Sequence, residues 1–267
     1  MWSVVRDLAR DLLGLVLPMS CAGCGADDTA WCAPCAASLA AAPWRCEGRA
    51  GRLDLLDGRP PVPVWAVADF VGPVRRAISA WKDHGRADLS GPFEAAVRAG
   101  ARAAALAPAL AGALDLRVTG ASAPPLIAVV PSPSTPAAVR RRGWDPVGGL
   151  AQAVADELVA VGVPARAWRA LRRAPGADQA GLSARARSRN LAGHVRVVGR
   201  PAPPATQVVL VDDVLTTGAT FAACVQALEQ AGLRVVAGVV IASTPRPGAG
   251  GTHRSALAWG PEPHGPG

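Results

Sequence analysis

No stretch of this 267-residue chain approaches the ~20 consecutive apolar residues that a bilayer-spanning helix needs, so the sequence contains no transmembrane segment. The N-terminus does not read as a secretory signal either. The opening MWSVVRDLARDLLGLVLP is interrupted by Arg6, Asp7, Arg10 and Asp11, and no small-residue cleavage site follows an apolar run. The chain therefore reads as cytoplasmic. Val4, Val5, Leu8, Leu12, Leu15 and Val16 recur at helical spacing and predict an amphipathic helix, docked on the protein's own body or on a membrane surface. Two widespread phosphate motifs are lacking: there is no G-x-x-x-x-G-K-[ST], and no G-x-G-x-x-G follows a strand. Lysine is almost absent, since 27 of the 28 basic residues are arginine and Lys82 is the exception. A net charge of +8 on such a chain favours anionic partners: nucleotides, pyrophosphate or nucleic acid. No internal repeat is present beyond a pair of C-x-x-C motifs.

What the sequence does hold is concentrated in Val208–Thr220, VVLVDDVLTTGAT. The apolar run shows no polar alternation and predicts a buried parallel strand that ends at the acidic pair Asp212–Asp213. Carboxylates at that edge of an α/β sheet stand where ligands bind. A helix is expected over about Gly218–Ala231, with Thr216, Thr217, Gly218, Ala219 and Thr220 at its start. Free N–H groups, threonine hydroxyls and the positive end of the helix dipole can there hold a phosphate.

Four of the six cysteines form Cys21-Ala-Gly-Cys24 and Cys32-Ala-Pro-Cys35, seven residues apart. The spacing suits a tetrahedral tetrathiolate site for structural zinc, with Gly25 easing the first knuckle. Disulfides and a redox C-x-x-C are the other readings. Cys46 has no partner in sequence. Cys224 lies among Phe221, Val225 and Leu228 as a small core residue.

The Pro-rich stretch Pro60–Pro63 divides the chain into an N-terminal helix and cysteine module (1–59) and an α/β domain (60–245). A Pro/Gly-rich segment (246–267) reads as a disordered tail. Within the α/β domain a strand is expected at Val64–Val71, then a helix from about Pro73 running into Trp81-Lys82-Asp83-His84-Gly85-Arg86. An Ala-rich helix follows at Gly91–Leu116, and a second buried strand at Leu126–Val130. A lone ammonium in an arginine-rich chain suggests a compact point charge on phosphate. After the second strand come Pro131-Ser132-Pro133-Ser134 and a basic turn, Arg140-Arg141-Arg142-Gly143. Arginine forks match phosphate oxygens, and a solvated charge run is the alternative. Pro146–Val161 reads as a helix and Ala165–Leu171 as a short strand. Ala174–Leu191 is polar, basic and Gly-containing, which suits a lid over a site. The chain returns through Val195–Val198 to the acidic strand and closes with Val235–Ala242.

Four hydrophobic residues, two acids and T-T-G-x-T resemble the phosphoribosyl-pyrophosphate (PRPP) signature of type I phosphoribosyltransferases. CAGCG…CAPC, WKDHGRADL, VVPSP…RRRGWDP, DQAGLSARARSRNLAG and VLVDDVLTTGAT, in this order, resemble the ComF family from about Leu12 to Ser243. Two departures stand out. Cys46 lacks the mate that completes a further C-x-x-C in many members, and the common R-G-F-N-Q reads Arg142-Gly143-Trp144-Asp145-Pro146.

The resemblance implies an α/β fold with a type I phosphoribosyltransferase-like parallel sheet flanked by helices, and a small zinc module before it. It makes Asp212 and Asp213 the catalytic pair on the ribose hydroxyls, and Thr216–Thr220 the cup for the 5′-phosphate. Arg140, Arg141, Arg142 and Lys82 would face the pyrophosphate. Asp178, Gln179, Arg185, Arg189 and Asn190 would belong to the lid. PRPP would arrive with Mg²⁺, while zinc would stay structural. The implied activity is phosphoribosyl transfer to an unassigned acceptor, linked to DNA uptake. The alternative is a nucleotide- or single-stranded-DNA-binding protein of the competence machinery, with competence proteins as partners.

Overall fold

The computed structural model describes residues 19–54, 59, 61–105, 126–173, 195–199 and 206–246. The expected N-terminal helix, the lid with Asp178, Gln179, Arg185, Arg189 and Asn190, and nearly all of the expected tail lie outside them. So does the second half of the Ala-rich helix.

The chain forms α1 (Ala33–Ala37), β1 (Trp44–Arg45), β2 (Val64–Asp69), α2 (Gly72–Asp83), α3 (Ser90–Ala105) and β3 (Ile127–Pro131). Then come α4 (Pro136–Arg142), α5 (Pro146–Ala160), β4 (Ala165–Ala167), β5 (Leu171–Arg173), β6 (Val195–Val197), β7 (Gln207–Leu215), α6 (Ala219–Gln230) and β8 (Arg234–Ser243). Six strands make one sheet in the order β1-β2-β8-β7-β3-β4, parallel throughout except where β1 joins β2. Every residue of β3 is buried, as is β7 apart from Val214, which explains their unbroken apolar runs: both faces are covered. Ile127, Val129, Val209, Val211, Val239 and Ile241 point into a core shared with α2, α3 and α5. Their neighbours Ala128, Val130, Val208, Leu210 and Val240 point the other way, toward α6. The period of two along each strand thus separates the two cores.

Two expectations need correction. The acidic strand does not stop at Asp212. It continues through Leu215, because β8 accompanies it as far as the Leu215–Ser243 pair and Leu215 itself is buried. β3, however, ends opposite Val211, so the last four residues of β7 extend past it. The expected strand Ala165–Leu171 is likewise divided. β4 pairs with β3, whereas Leu171 belongs to β5, which leaves the sheet to form a two-stranded hairpin with β6. A tight turn from Trp168 to Ala170, closed by a 2.8 Å backbone hydrogen bond, makes the break.

α6 lies very close to the sheet. A Cβ at Gly238 would stand 2.4 Å from Cζ of Phe221, in the first turn of α6, and 3.1 Å from Val64. Both neighbours are fully packed, so the methyl group has nowhere to go. Gly238→Ala is expected to destabilise the protein by about 1–3 kcal/mol through overpacking, measured by urea unfolding. A melting curve unchanged from wild type would show that α6 can retreat without cost.

Candidate functional site

The overhang of β7 forms the floor of a cleft of about 640 Å³ at the carboxyl edge of the sheet. It is lined by Asp212 and Asp213, by Thr216–Thr220, by Ser132, Ser134 and Thr135 after β3, and by Lys82, Arg142 and Arg173. A second cavity of equal volume lies by α6 and is walled largely by Leu53, Val62, Pro63, Val225 and Leu233. Volume does not choose between them. The convergence of charged and hydroxyl groups selects the first.

Both acids are buried. Burial pushes the Asp212 carboxyl up to about 7, and Asp213 adds to the rise through its charge and a hydrogen bond. Lys82 and a hydrogen bond with Ser132 pull the other way without cancelling it. Lys82 Nζ lies 2.5 Å from Asp213 Oδ2, with the ammonium side chain about a third exposed. Burial works against its charge, but the two carboxylates more than offset this and hold the lysine above its ordinary value. The lone lysine is thus a counter-ion to the acid pair.

The Thr/Gly turn follows directly. Gly218 adopts a left-handed φ of +83° and begins α6, as an N-cap without a side chain. Among the described residues, the N–H groups of Thr216, Thr217, Gly218, Thr220 and Phe221 have no protein acceptor, while Thr217 Oγ1 accepts weakly from Ala219 N at 3.5 Å. Such a turn is a ready anion cradle. It is pinned from behind: Arg52 N donates to Thr217 O at 3.2 Å, and a Cβ on Gly218 would meet Ala50 and Leu53 at 3.0 Å.

The predicted basic turn is in fact the last turn of α4. Thr135 caps that helix by accepting from Ala138 N, Pro136 opens it, and Gly143 ends it in the left-handed region. Only Arg142 of the three arginines lines the cleft; Arg140 and Arg141 are exposed outside its lining. Arg142 Nη2 lies 3.6 Å from Asp83, while its buried Nε and Nη1 have no partner among the described residues. Unpaired buried donors on a guanidinium call for an anionic acceptor. Trp144 packs edge-on against Trp81 with centroids 5.4 Å apart, which brings the two motifs WKDHG and RRRGWD together.

Sequence reasoning did not assign Arg173, Ser132, Ser134 or Thr135 to the site. Arg173 ends β5, a strand visible only once the hairpin is formed. The hydroxyls follow β3 in PSPST, and their signal was the strand end itself.

The four cysteines also assemble. The Sγ atoms of Cys21, Cys24, Cys32 and Cys35 lie within 4.8 Å of one another, and Cys32 approaches both Cys21 and Cys24 to 3.5 Å. Sulfurs at Zn–S bonds of ~2.3 Å on a tetrahedron stand about 3.8 Å apart, so the group fits a zinc ion. Burial opposes a thiolate at Cys21, but N–H groups of Cys32, Cys24 and Gly23 outweigh it and bring that thiol to about 6. A Cβ on Gly23 would lie 2.7 Å from Cys35 Sγ, so only glycine permits this closeness. All four positions are protein sulfurs, and a zinc ion there would hold the fold rather than bind substrate. Cys46 lies elsewhere: burial pushes its thiol up to about 12 against the opposing hydrogen bond with Ser243, and it joins no group that could hold a metal among the described residues. No described helix is long and apolar enough to cross a membrane.

Compared with known proteins, the chain matches no family model and no curated protein.

Protein purified without added metal should contain one zinc per chain by elemental analysis. Cys46→Ser should leave that number unchanged, whereas Cys35→Ser should lower it and cost much of the folding free energy. A metal-free chain with intact structure would instead favour the redox or disulfide reading.

Proposed function

We propose that the chain is a phosphoribosyltransferase-like protein of the ComF type, binding PRPP as its Mg²⁺ complex and transferring the phosphoribosyl group to an acceptor. The observation that carries this reading is the meeting of three groups in one cleft: a buried acid pair, an N–H-rich Thr/Gly turn opening α6, and Arg142 with donors to spare. A sugar phosphate with a second anionic group matches all three. The turn takes the 5′-phosphate, Asp212 and Asp213 accept from the ribose hydroxyls, and Arg142 meets the pyrophosphate.

In the transfer, the bond from C1′ to the pyrophosphate oxygen breaks and pyrophosphate keeps the electron pair. The acceptor bonds to C1′ and gives up its proton. Positive charge builds on the sugar beside the acid pair, and negative charge builds on pyrophosphate facing Arg142, so fixed charges stabilise both developing poles. Lys82, paired with Asp213, tempers the acid pair. A cation held there keeps two buried carboxylates tolerable before the substrate enters.

A second reading, binding of a nucleotide or single strand without catalysis, is favoured by the arginines that stay outside the cleft. Arg140 and Arg141 are exposed, and exposed Arg172 stands directly opposite Arg196 on the β5–β6 hairpin, a like-charge pairing that an external anion would relieve.

Calorimetry with PRPP–Mg²⁺, ribose 5-phosphate and a labelled single strand separates these readings. Joint replacement Asp212→Asn and Asp213→Asn should weaken both sugar phosphates by about 3 kcal/mol, the scale of two lost hydrogen bonds to charged acceptors. Arg142→Ala should weaken PRPP more than ribose 5-phosphate, because only PRPP carries the pyrophosphate. A wild-type chain that binds the strand but neither sugar phosphate would overturn the first reading.

The same site predicts a pH dependence. Asp212 is raised in the fold, so between about pH 4 and its folded value near 7 the native state binds more protons than the unfolded chain, and stability falls as pH rises. Ligand binding runs the opposite way, since ribose hydroxyls need the ionised acceptor. PRPP affinity should therefore climb from about pH 6 to about pH 8 in calorimetry, and in Asp212→Asn this climb should flatten.

A further inference from the structure

The cysteine module contributes no lining residue to the cleft. Its backbone is packed onto α2, the helix that carries Lys82. A Cβ on Gly23 would meet Pro73, in the first turn of α2, at 3.0 Å. Arg76, within α2, donates from Nε to Gly23 O between the two cysteines of the first knuckle. Arg86, just past the end of α2, donates to Ser20 O at 3.0 Å and to Ala30 O at 3.1 Å, while Asp88 holds its guanidinium from the other side. These carbonyls border the cysteine knuckles. The inner side of α2 is secured separately, by buried Trp81 against Phe93 and Trp144.

We propose that the cysteine module is a clamp that positions Lys82: Arg76 and Arg86, gripping module carbonyls on either side of the lysine, set where its ammonium stands against Asp213. The carbonyls can act as fixed acceptors only while the knuckles keep their shape. Four sulfurs held by a metal ion preserve that shape, whereas without it the two knuckles meet at their sulfurs only through weak thiol contacts of 3.5 Å. The metal centre is then linked to the charge of the cleft through α2, with no metal ligand entering the cleft. The consequence for PRPP rests on the function proposed above, but the position of the ammonium does not.

Lys82 is the chain's one lysine, so acylation by an N-hydroxysuccinimide acetyl ester, read by peptide mass spectrometry, reports its ion pair at a single site without any ligand. In the zinc-loaded wild type Lys82 should react slowly. Joint Arg76→Gln and Arg86→Gln replacement, with zinc content and circular dichroism retained, should speed acylation about tenfold, the change in free amine that one pKa unit produces. Asp213→Asn alone should give a similar increase, and adding it to the arginine variant should give little more, because both routes break the same pair. Removing zinc from the wild type with a chelator should reproduce the acceleration. If the double replacement or the chelated chain unfolds, Arg76→Gln alone with zinc in place decides. Unchanged acylation in a folded arginine variant, or acceleration fully additive with Asp213→Asn, would overturn the clamp. A chain in which Lys82 behaves as proposed but PRPP does not bind would refute the function and leave the clamp standing.

Discussion

The cleft depends on unequal strand lengths at the centre of the sheet. β7 and β8 run on together to Leu215 and Ser243, while β3 stops opposite Val211. On its other side β7 stays paired with β8 past the acids, Asp212 opposite Val240 and Val214 opposite Ala242. The Asp213 N–H donates to Asp212 Oδ1, and the flank beyond Val211 opens onto a space that β3 has vacated. The acids are held by a ladder on one flank and exposed to a ligand on the other. Had β3 continued, the carboxylates would have been enclosed in the sheet. Had β8 stopped as well, they would have lain on a loose loop.

Burying two adjacent carboxylates is costly, and the surrounding groups share the load. Lys82 supplies the opposite charge, and Ser132 and the Asp213 N–H supply hydrogen bonds to Asp212. The pair remains strained enough that Asp212 titrates near neutrality. A site poised in this way can exchange a proton for a ligand contact within the physiological range. The Thr/Gly turn and Arg142 show the complementary condition, with donors that have no protein acceptor among the described residues. Acceptors and unsatisfied donors face each other across one cleft, which is the pattern a polyanionic sugar would complete.

The N-terminal residues act as part of the same body. The segment after the knuckles runs along the sheet edge, where Glu47 accepts from Val64 N and Arg49 pairs with Asp69. It then backs the Thr/Gly turn through Arg52, Ala50 and Leu53. The knuckles themselves grip α2. Zinc binding in such a module is worth on the order of 10 kcal/mol, far more than a typical surface contact, so it can hold both walls of the cleft in place.

Much of this was legible in the chain. Continuous apolar runs identified β7 as a buried parallel strand and β3 as a buried one, and the helix expected from Pro146 begins there, capped by Asp145. The two C-x-x-C pairs identified the four cysteines whose sulfurs stand close enough to hold a metal ion, because a knuckle is a local structure encoded within a few residues. Asp212, Asp213 and the Thr/Gly turn were likewise one contiguous segment. What only the tertiary structure decided was which distant groups face them. Three arginines in a row are equivalent in sequence, but the helical rotation of α4 places Arg142 in the cleft and leaves Arg140 and Arg141 outside. The role of Lys82 depends on Asp213, 131 positions away, and on a helix clamped by the cysteine module. Local propensity and patterning act over a few turns of chain, whereas charge pairing acts over a few ångströms of space, and only folding brings those two distances together.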